Sequence, residues 1–323
     1  MTTLQLYELM GEGYKVAIAK AFDVYTPKSF KDAVTCDDQS DWIKSIIKEI
    51  VSLEKAGTWT VVHRDRAKSE GKRVMKSGFV FRTKCDQNGF VKSFENGGQK
   101  SRFVAKGYSE RYQQDYWNVR SGVVDYVSAR FLIAIAAAER SKMYTYDVKN
   151  AFVSTDVPEG EEFYCEAPED DANNTIFGDR FTMADGTRGV LRCHKCLYGS
   201  KNSPRRFWQK LEKVLSTGGF KPCIQDQCVL VCDRRPYGGG ILRVACWVDD
   251  ILLTVKNQAD KEWFDHLMAD NFEMSPDSGE EEAKLYLGMK VSRDAKKHTI
   301  TLSSPALVES MINDLVEGGH LHP

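Results

Sequence analysis

Much is missing from this 323-residue chain, and each absence narrows the reading. Its formal net charge is only −1, so no global basic field advertises a nucleic-acid partner, and any such surface must be local. No apolar run is long enough to span a membrane, so no membrane partner is expected. The opening MTTLQLYELMGEGYK has no basic start followed by an apolar core, so a secretory leader is not expected either. There is no P-loop and no GxGxxG, which removes the usual stored-nucleotide motifs. Nine cysteines, an odd number, are scattered without a disulfide-like framework, so reduced thiols in an intracellular setting are expected. The six histidines are equally scattered, none with a Cys or Ser at a persuasive spacing. Internal repeats and low-complexity tracts are absent.

What is present suits a globular protein with a large core in two or three subdomains: 42% hydrophobic and 28% charged residues. The segment from Asp41 to Gly57 predicts an amphipathic helix, with Trp42, Ile46, Ile50 and Leu53 at helical spacing and Asp41 as its cap. Strands are expected at Thr58–His63, at Ser77–Lys84 paired with Val91–Phe94 across a turn at Asp86–Gly89, and at Lys100–Tyr108. In the last of these, Lys100, Arg102 and Lys106 recur at even spacing and share one face. Such a face suits a polyphosphate or a nucleic-acid backbone, and equally a plain solvated strand. Ser128–Arg140 reads as a buried helix, followed by a short strand, Met143–Tyr146, that delivers Asp147, which on this stretch alone reads as a helix cap ahead of a ligand position. The segment Asp170–Gly189 reads as a polar surface insertion or a small hairpin. An amphipathic helix begins at Ser203–Pro204 with the stripe Phe207, Leu211, Leu215. Further helices are expected at Gln258–Asn271 and from Pro305, with strands 284–292 and 299–302 paired between them.

The most informative stretch is Ile241–Val255, ILRVACWVDDILLTV. Val, Ile and Leu flank one adjacent acidic pair, Asp249 and Asp250, which is costly to bury without a partner. This predicts a strand–turn–strand hairpin whose tip carries either two solvated turn aspartates or a metal-binding pair. If the strand ending at Asp147 lies in the same antiparallel sheet, three carboxylates converge. Such a set suits two Mg²⁺ about 4 Å apart, since that ion takes carboxylate oxygen, water and substrate phosphate. Two rival motifs are weaker. Cys193 and Cys196, with Cys223, Cys228 and Cys232, lack a standard zinc spacing and read as buried thiols. Asp277-Ser278-Gly279, with polar flanks, reads as a turn and not as a protease triplet.

These residues fall into ordered blocks. They are the 42–59 helix and its Trp59, 79–108 with KSRFVAKGY, 115–116, Asp147–Phe152 (DVKNAF), 164–168, 197–208 (LYGSKNSPRRFW), 247–250 (WVDD) and 286–288 (YLG). In this order the chain resembles the reverse transcriptase of copia-type long-terminal-repeat retrotransposons over about residues 40–315. The resemblance implies an α+β, right-hand polymerase: an extension at 1–37, fingers and palm over 38–292, and the start of a truncated thumb at 293–323. It implies an RNA-directed DNA polymerase that adds dNTPs to a primer 3′-hydroxyl with two Mg²⁺ (Mn²⁺ as a substitute). By motif position Asp147, Asp249 and Asp250 are its catalytic residues and, with the Val148 carbonyl, its metal ligands. Arg102, Lys106, Val148, Phe152 and Gly199 bind the nucleotide, Phe152 as a steric gate against a 2′-hydroxyl, and Tyr286, Leu287 and Gly288 grip the primer.

The implied partners are an RNA or DNA template and a DNA or tRNA primer, with ribonuclease H and integrase regions expected in a parent polyprotein but absent here. The implied location is intracellular: cytoplasmic in a virus-like particle, or nuclear. Trp247 replaces the family's usual Tyr, and Ser200, Asn202 and Ser203 depart from its Leu-Tyr-Gly-Leu-Lys-Gln-Ala-Pro-Arg block. The alternatives are a catalytically inactive, nucleic-acid-binding relic and a metal phosphohydrolase using the same carboxylates.

Overall fold

A computed structural model describes residues 25–84, 92–95, 97–110, 121–170, 175–305, 307–308 and 311–312. Its helices are α1 (Phe30–Ala33), α2 (Gln39–Lys55), α3 (Arg64–Ser69), α4 (Tyr126–Ala138), α5 (Ser203–Thr217) and α6 (Gln258–Ala269). The strands are β1 (Trp59–Val62), β2 (Val74–Met75), β3 (Ser77–Thr83), β4 (Gln99–Ala105), β5 (Lys142–Asp147), β6 (Phe163–Glu166) and β7 (Val190–Cys193). They continue with β8 (Lys221–Pro222), β9 (Val229–Asp233), β10 (Ile241–Trp247), β11 (Asp250–Val255), β12 (Leu285–Tyr286), β13 (Met289–Asp294) and β14 (Thr299–Ser303). The class is α+β. Two compact units emerge, one from Met1–Trp117 and Asp156–Ser203, the other from Asn118–Thr155 and Pro204–His320.

In the first unit α2 buries Trp42, Ile46, Ile50 and Leu53, the expected stripe. Its N-cap is Asp38 and not Asp41, which sits in the first turn where a carboxylate favours the helix dipole. One sheet runs in the order β1-β7-β6-β2. The other is the β3–β4 hairpin, with Arg82 opposite Lys100 and Val80 opposite Arg102. The expected partner of β3, Val91–Phe94, is thus replaced by 99–105; Phe94 lies in a turn, and the turn at 86–89 falls outside the described residues. Side chains of α2 cover the free edge of β4. The Ser45 hydroxyl accepts from Ser101 N (2.9 Å) and donates to Gln99 O (3.1 Å). Glu49 accepts from Phe103 N (3.2 Å), and burial pushes its carboxyl upward. Of the surface insertion or small hairpin expected at 170–189, a small hairpin forms, with Thr182 bridging Arg188 and Met183 N bonded to Thr187 O (2.8 Å), and the stretch buries Phe177 and Phe181, which stack edge-on. Polar residues dominate that stretch, and its two aromatic anchors are what fold it inward.

The second unit is built on an antiparallel sheet in the order β5-β11-β10-β9-β8. Leu242, Val244, Ile251 and Leu253 pack with Phe207, Leu211 and Leu215 of α5 and Phe264 and Met268 of α6. Ala245 and Leu252, alternate in the strands, pack instead with Leu132, Ile133 and Ala136 of α4. A strand buried on both faces needs mostly apolar residues, which explains the apolar segments on either side of Asp249 and Asp250 in the run 241–255. Each fully buried Leu or Phe there is worth about 1.5–3 kcal/mol. The hairpin β13–β14 joins the α4 side through Val291, Ile300 and Leu302. Helix α4 starts earlier than expected, its Val127 N–H capped by Asp125 (2.7 Å). It is also not buried all round, since Val127 and Phe131 are exposed. A segment apolar on every side but that of Arg130 carries little moment to say which face turns inward. A helical turn opens at Pro305, and most of that expected helix lies outside the described residues, as do residues 1–24 and 115–116.

Candidate functional site

The acidic pair sits where the apolar run predicts a hairpin tip. Strands β10 and β11 pair up to Trp247↔Asp250, leaving Val248 and Asp249 as a two-residue turn. Val248 has φ 55°, a region that β-branched residues avoid, at a typical cost of about 1–3 kcal/mol. Its N–H is held by Gly122 O at 2.7 Å. Strand β5 pairs with β11 on the other side, in the register Asp250↔Asp147 and Ile251↔Tyr146. Val148 N reaches Asp249 O at 3.4 Å. The sheet therefore gathers Asp147, Val148, Asp249 and Asp250 at one end. Asp147 closes a strand and caps no helix; turns follow it through Phe152.

A second element, invisible in the sequence blocks, wraps Asp147 from the far side. Lys149 N bonds to Glu273 O (2.8 Å), Val148 bridges Met274, and Ser275 N bonds to Asp147 O (2.9 Å). The Ser275 hydroxyl donates to the Asp147 carboxylate. Ser278 Oγ accepts from Asp147 N (3.0 Å) and donates to Asp147 O (3.1 Å). The Asp277-Ser278-Gly279 triplet is a turn, as expected. Gly279 is required there: its φ is +72°, and a Cβ would stand 2.7 Å from the Tyr146 ring.

Electrostatics single out Asp250. Burial raises its carboxyl to about 6, the charges of Asp249 and Asp147 add to the rise, and a hydrogen bond from the Leu287 N–H opposes it. The donors are all hard oxygens, and their mutual repulsion is what a dication relieves, so this set fits Mg²⁺ or Mn²⁺ in kind. Among the described residues, however, no three acidic, His or Cys side chains converge as a preformed metal cluster. Asp147 is turned toward Ser275. Trp247, the departure beside the pair, is half-buried with its ring 5.4 Å from that of Tyr126.

The other expected residues fall into two groups. In the second unit Phe152 is half-buried, edge-on to Phe207 at 6.3 Å. Tyr286 is buried, with its hydroxyl on Ala245 O (3.1 Å). Leu287 (φ 49°) and Gly288 (φ 73°) form the tight turn between β12 and β13. That turn aims the Leu287 N–H at Asp250. In the first unit Lys100 and Arg102 share the less buried face of β4, whereas Lys106 lies just past the end of the strand, at the start of the turn 107–109. The Arg102 guanidinium lies 4.9 Å from the Tyr198 ring. Gly199 (φ +84°) packs so close to this strand that a Cβ would be 2.1 Å from Ala105 O.

Arg82, directly opposite Lys100, joins this cationic face and is absent from the sequence-based set. Its alternation with Val80 was readable, but its partner strand was not. Cys193, Cys196, Cys228 and Cys232 are buried, whereas Cys223 is only half-buried, and burial pushes the Cys193 thiol up.

Residues 56–317 match the family model described as reverse transcriptase (RNA-dependent DNA polymerase), and the chain belongs to that family, in its copia-type branch. It is 27% identical over 286 residues to the Retrovirus-related Pol polyprotein from transposon TNT 1-94 of Nicotiana tabacum, covering 88% of this chain and 20% of that protein. It is 32% identical over 169 residues to the Pol polyprotein from transposon RE2 of Arabidopsis thaliana, and 30% identical over 169 residues to that from RE1 of the same plant. Each of these matches covers 51% of this chain, and 11% and 10% of the respective relatives. The chain thus spans about a fifth of the length of the first relative and about a tenth of the other two. No helix among the described residues is long and apolar enough to cross a membrane.

Proposed function

We propose that this chain is an RNA-directed DNA polymerase domain of a retrotransposon polyprotein, with the first unit acting as fingers and the second as palm and start of thumb. The observation that carries the reading is the register Asp250↔Asp147, which brings residues distant in sequence beside the Val248–Asp249 turn. Bound divalent ions would activate the primer 3′-hydroxyl and stabilise the leaving pyrophosphate. Asp147 and Asp249, with Asp250 and the Val148 carbonyl, would supply the oxygen ligands, Asp147 giving up its bond from the Ser275 hydroxyl. Phe152 closes the space under the incoming sugar and disfavours a 2′-hydroxyl. Arg102 and Lys106, joined by Lys100 and Arg82, neutralise the triphosphate, and Gly199 lets the backbone approach β4. The turn 287–288 supports the primer end while Tyr286 anchors it from the core. Template and primer are held mainly through their phosphates, so binding weakens with salt.

Primer extension on an RNA template tests this reading, with wild type beside Asp249→Asn. Mg²⁺-dependent extension that the substitution reduces at least a hundredfold is expected. Template binding without any extension would leave a non-catalytic binding domain. Nucleotide hydrolysis without a primer would mark a phosphohydrolase.

A further inference from the structure

The loop that holds Asp147 has chemistry the polymerase reading does not use. Ser278 bonds to both the N–H and the C=O of Asp147 through one hydroxyl oxygen. Around it the sequence is Ser275-Pro276-Asp277-Ser278-Gly279-Glu280-Glu281-Glu282. Asp277 and all three glutamates are exposed, and Ser278 is half-buried at the surface of the turn. The carboxylates therefore stand one residue before the hydroxyl and two, three and four residues after it. A serine kinase with a cationic substrate groove selects for that charge pattern. The neighbouring cations Lys149, Lys284 and Arg293 are already paired with Glu273, Glu281 and Glu282.

We propose that Ser278 is a phosphorylation site whose modification releases Asp147 and switches the carboxylate end of the sheet off. In the step, Ser278 Oγ attacks the γ-phosphorus of ATP and an Oγ–P bond forms. The bond from that phosphorus to the β–γ bridging oxygen breaks, ADP leaves, and the hydroxyl proton passes to the kinase's base. The product oxygen carries no hydrogen, so its donation to Asp147 O is lost. About −1.5 to −2 of charge is added in a loop that already holds four exposed carboxylates. Like-charge repulsion drives the loop outward and away from Asp147. The backbone of β5 then loses its partner on that edge, and the carboxylate loses its fixed position.

The switch in activity rests on the polymerase reading; the modification and its local effect do not. The test treats the full chain with a purified acid-directed serine kinase and Mg²⁺-ATP. The phosphate is located by mass spectrometry, amide exchange at Asp147 is measured, and primer extension is assayed. We expect phosphate on Ser278, at least tenfold faster exchange at Asp147, and at least tenfold slower extension. Glu281→Gln, an exposed change outside the site, should slow phosphorylation at least tenfold while its unmodified activity matches wild type. Phosphate on Ser275 instead, no phosphate on the folded chain, or phosphate on Ser278 with unchanged Asp147 exchange would each overturn the proposal. An unmodified protein that extends no primer would instead overturn the polymerase reading, leaving the mass and exchange results to decide this one.

Discussion

Replacing Asp250 with Asn should stabilise the metal-free protein while destroying its response to Mg²⁺. The carboxyl of Asp250 is raised from 3.8 to about 6, first by burial and then by Asp249 and Asp147. A rise of roughly two units at about 1.36 kcal/mol each gives an upper figure of about 3 kcal/mol for holding the charge there at neutral pH. Asp250 is only half-buried, and solvent screening reduces this to about 1–2 kcal/mol. The sign follows from proton binding. Between about pH 4 and 6 the folded state holds the proton and the unfolded state has lost it, so stability falls as pH rises through this window and is flat above it. Asn keeps an acceptor for the Leu287 N–H and removes the charge.

Calorimetry without divalent ions should therefore find the variant a few degrees more stable at pH 8, and equal to wild type below pH 4. Adding Mg²⁺ should raise the melting temperature of wild type by mass action and leave the variant nearly unmoved. A variant that melts lower than wild type at pH 8 would refute the burial argument. An equal Mg²⁺ shift in both proteins would refute the assignment of Asp250 to the metal.

Other perturbations probe different parts of the molecule. Val248→Gly should relieve the positive φ and stabilise the hairpin by about 1 kcal/mol in a melt, while a looser turn lowers the extension rate. Arg102→Ala should raise KM for the nucleotide about tenfold with a smaller change in kcat, since it removes charge from the cationic face proposed to take the triphosphate and leaves the carboxylates untouched. Phe152→Ala should admit ribonucleotides, seen as at least a tenfold fall in the ratio of deoxynucleotide to ribonucleotide incorporation. Asp260→Ala should cost about 3–5 kcal/mol in denaturant unfolding. That buried carboxylate forms an ion pair with Arg234 (3.1 Å) and accepts hydrogen bonds from Gly240 N (2.6 Å) and Asn257 (2.7 Å), and its loss strands the Arg234 guanidinium over Trp263.

The sequence by itself determined the elements whose signal is local. The stripe 42–46–50–53 forms one helix face, and Phe207, Leu211 and Leu215 form another. The apolar run 241–255 broken by two aspartates could only be a buried hairpin with its charges at the tip. Its ordered motifs also carried the family. Tertiary structure alone decided whatever depends on contacts between distant segments. Nothing in β3 announces that its partner is 99–105, so Arg82 could not be placed beside Lys100. In α4 Arg130 alone marks the face on which Val127 and Phe131 turn outward. Above all, Ser275 and Ser278 look like ordinary turn residues until the chain returns 128 and 131 residues after Asp147 and lays them against it. A hydrogen bond that closes so long a loop leaves no periodicity in the sequence to read.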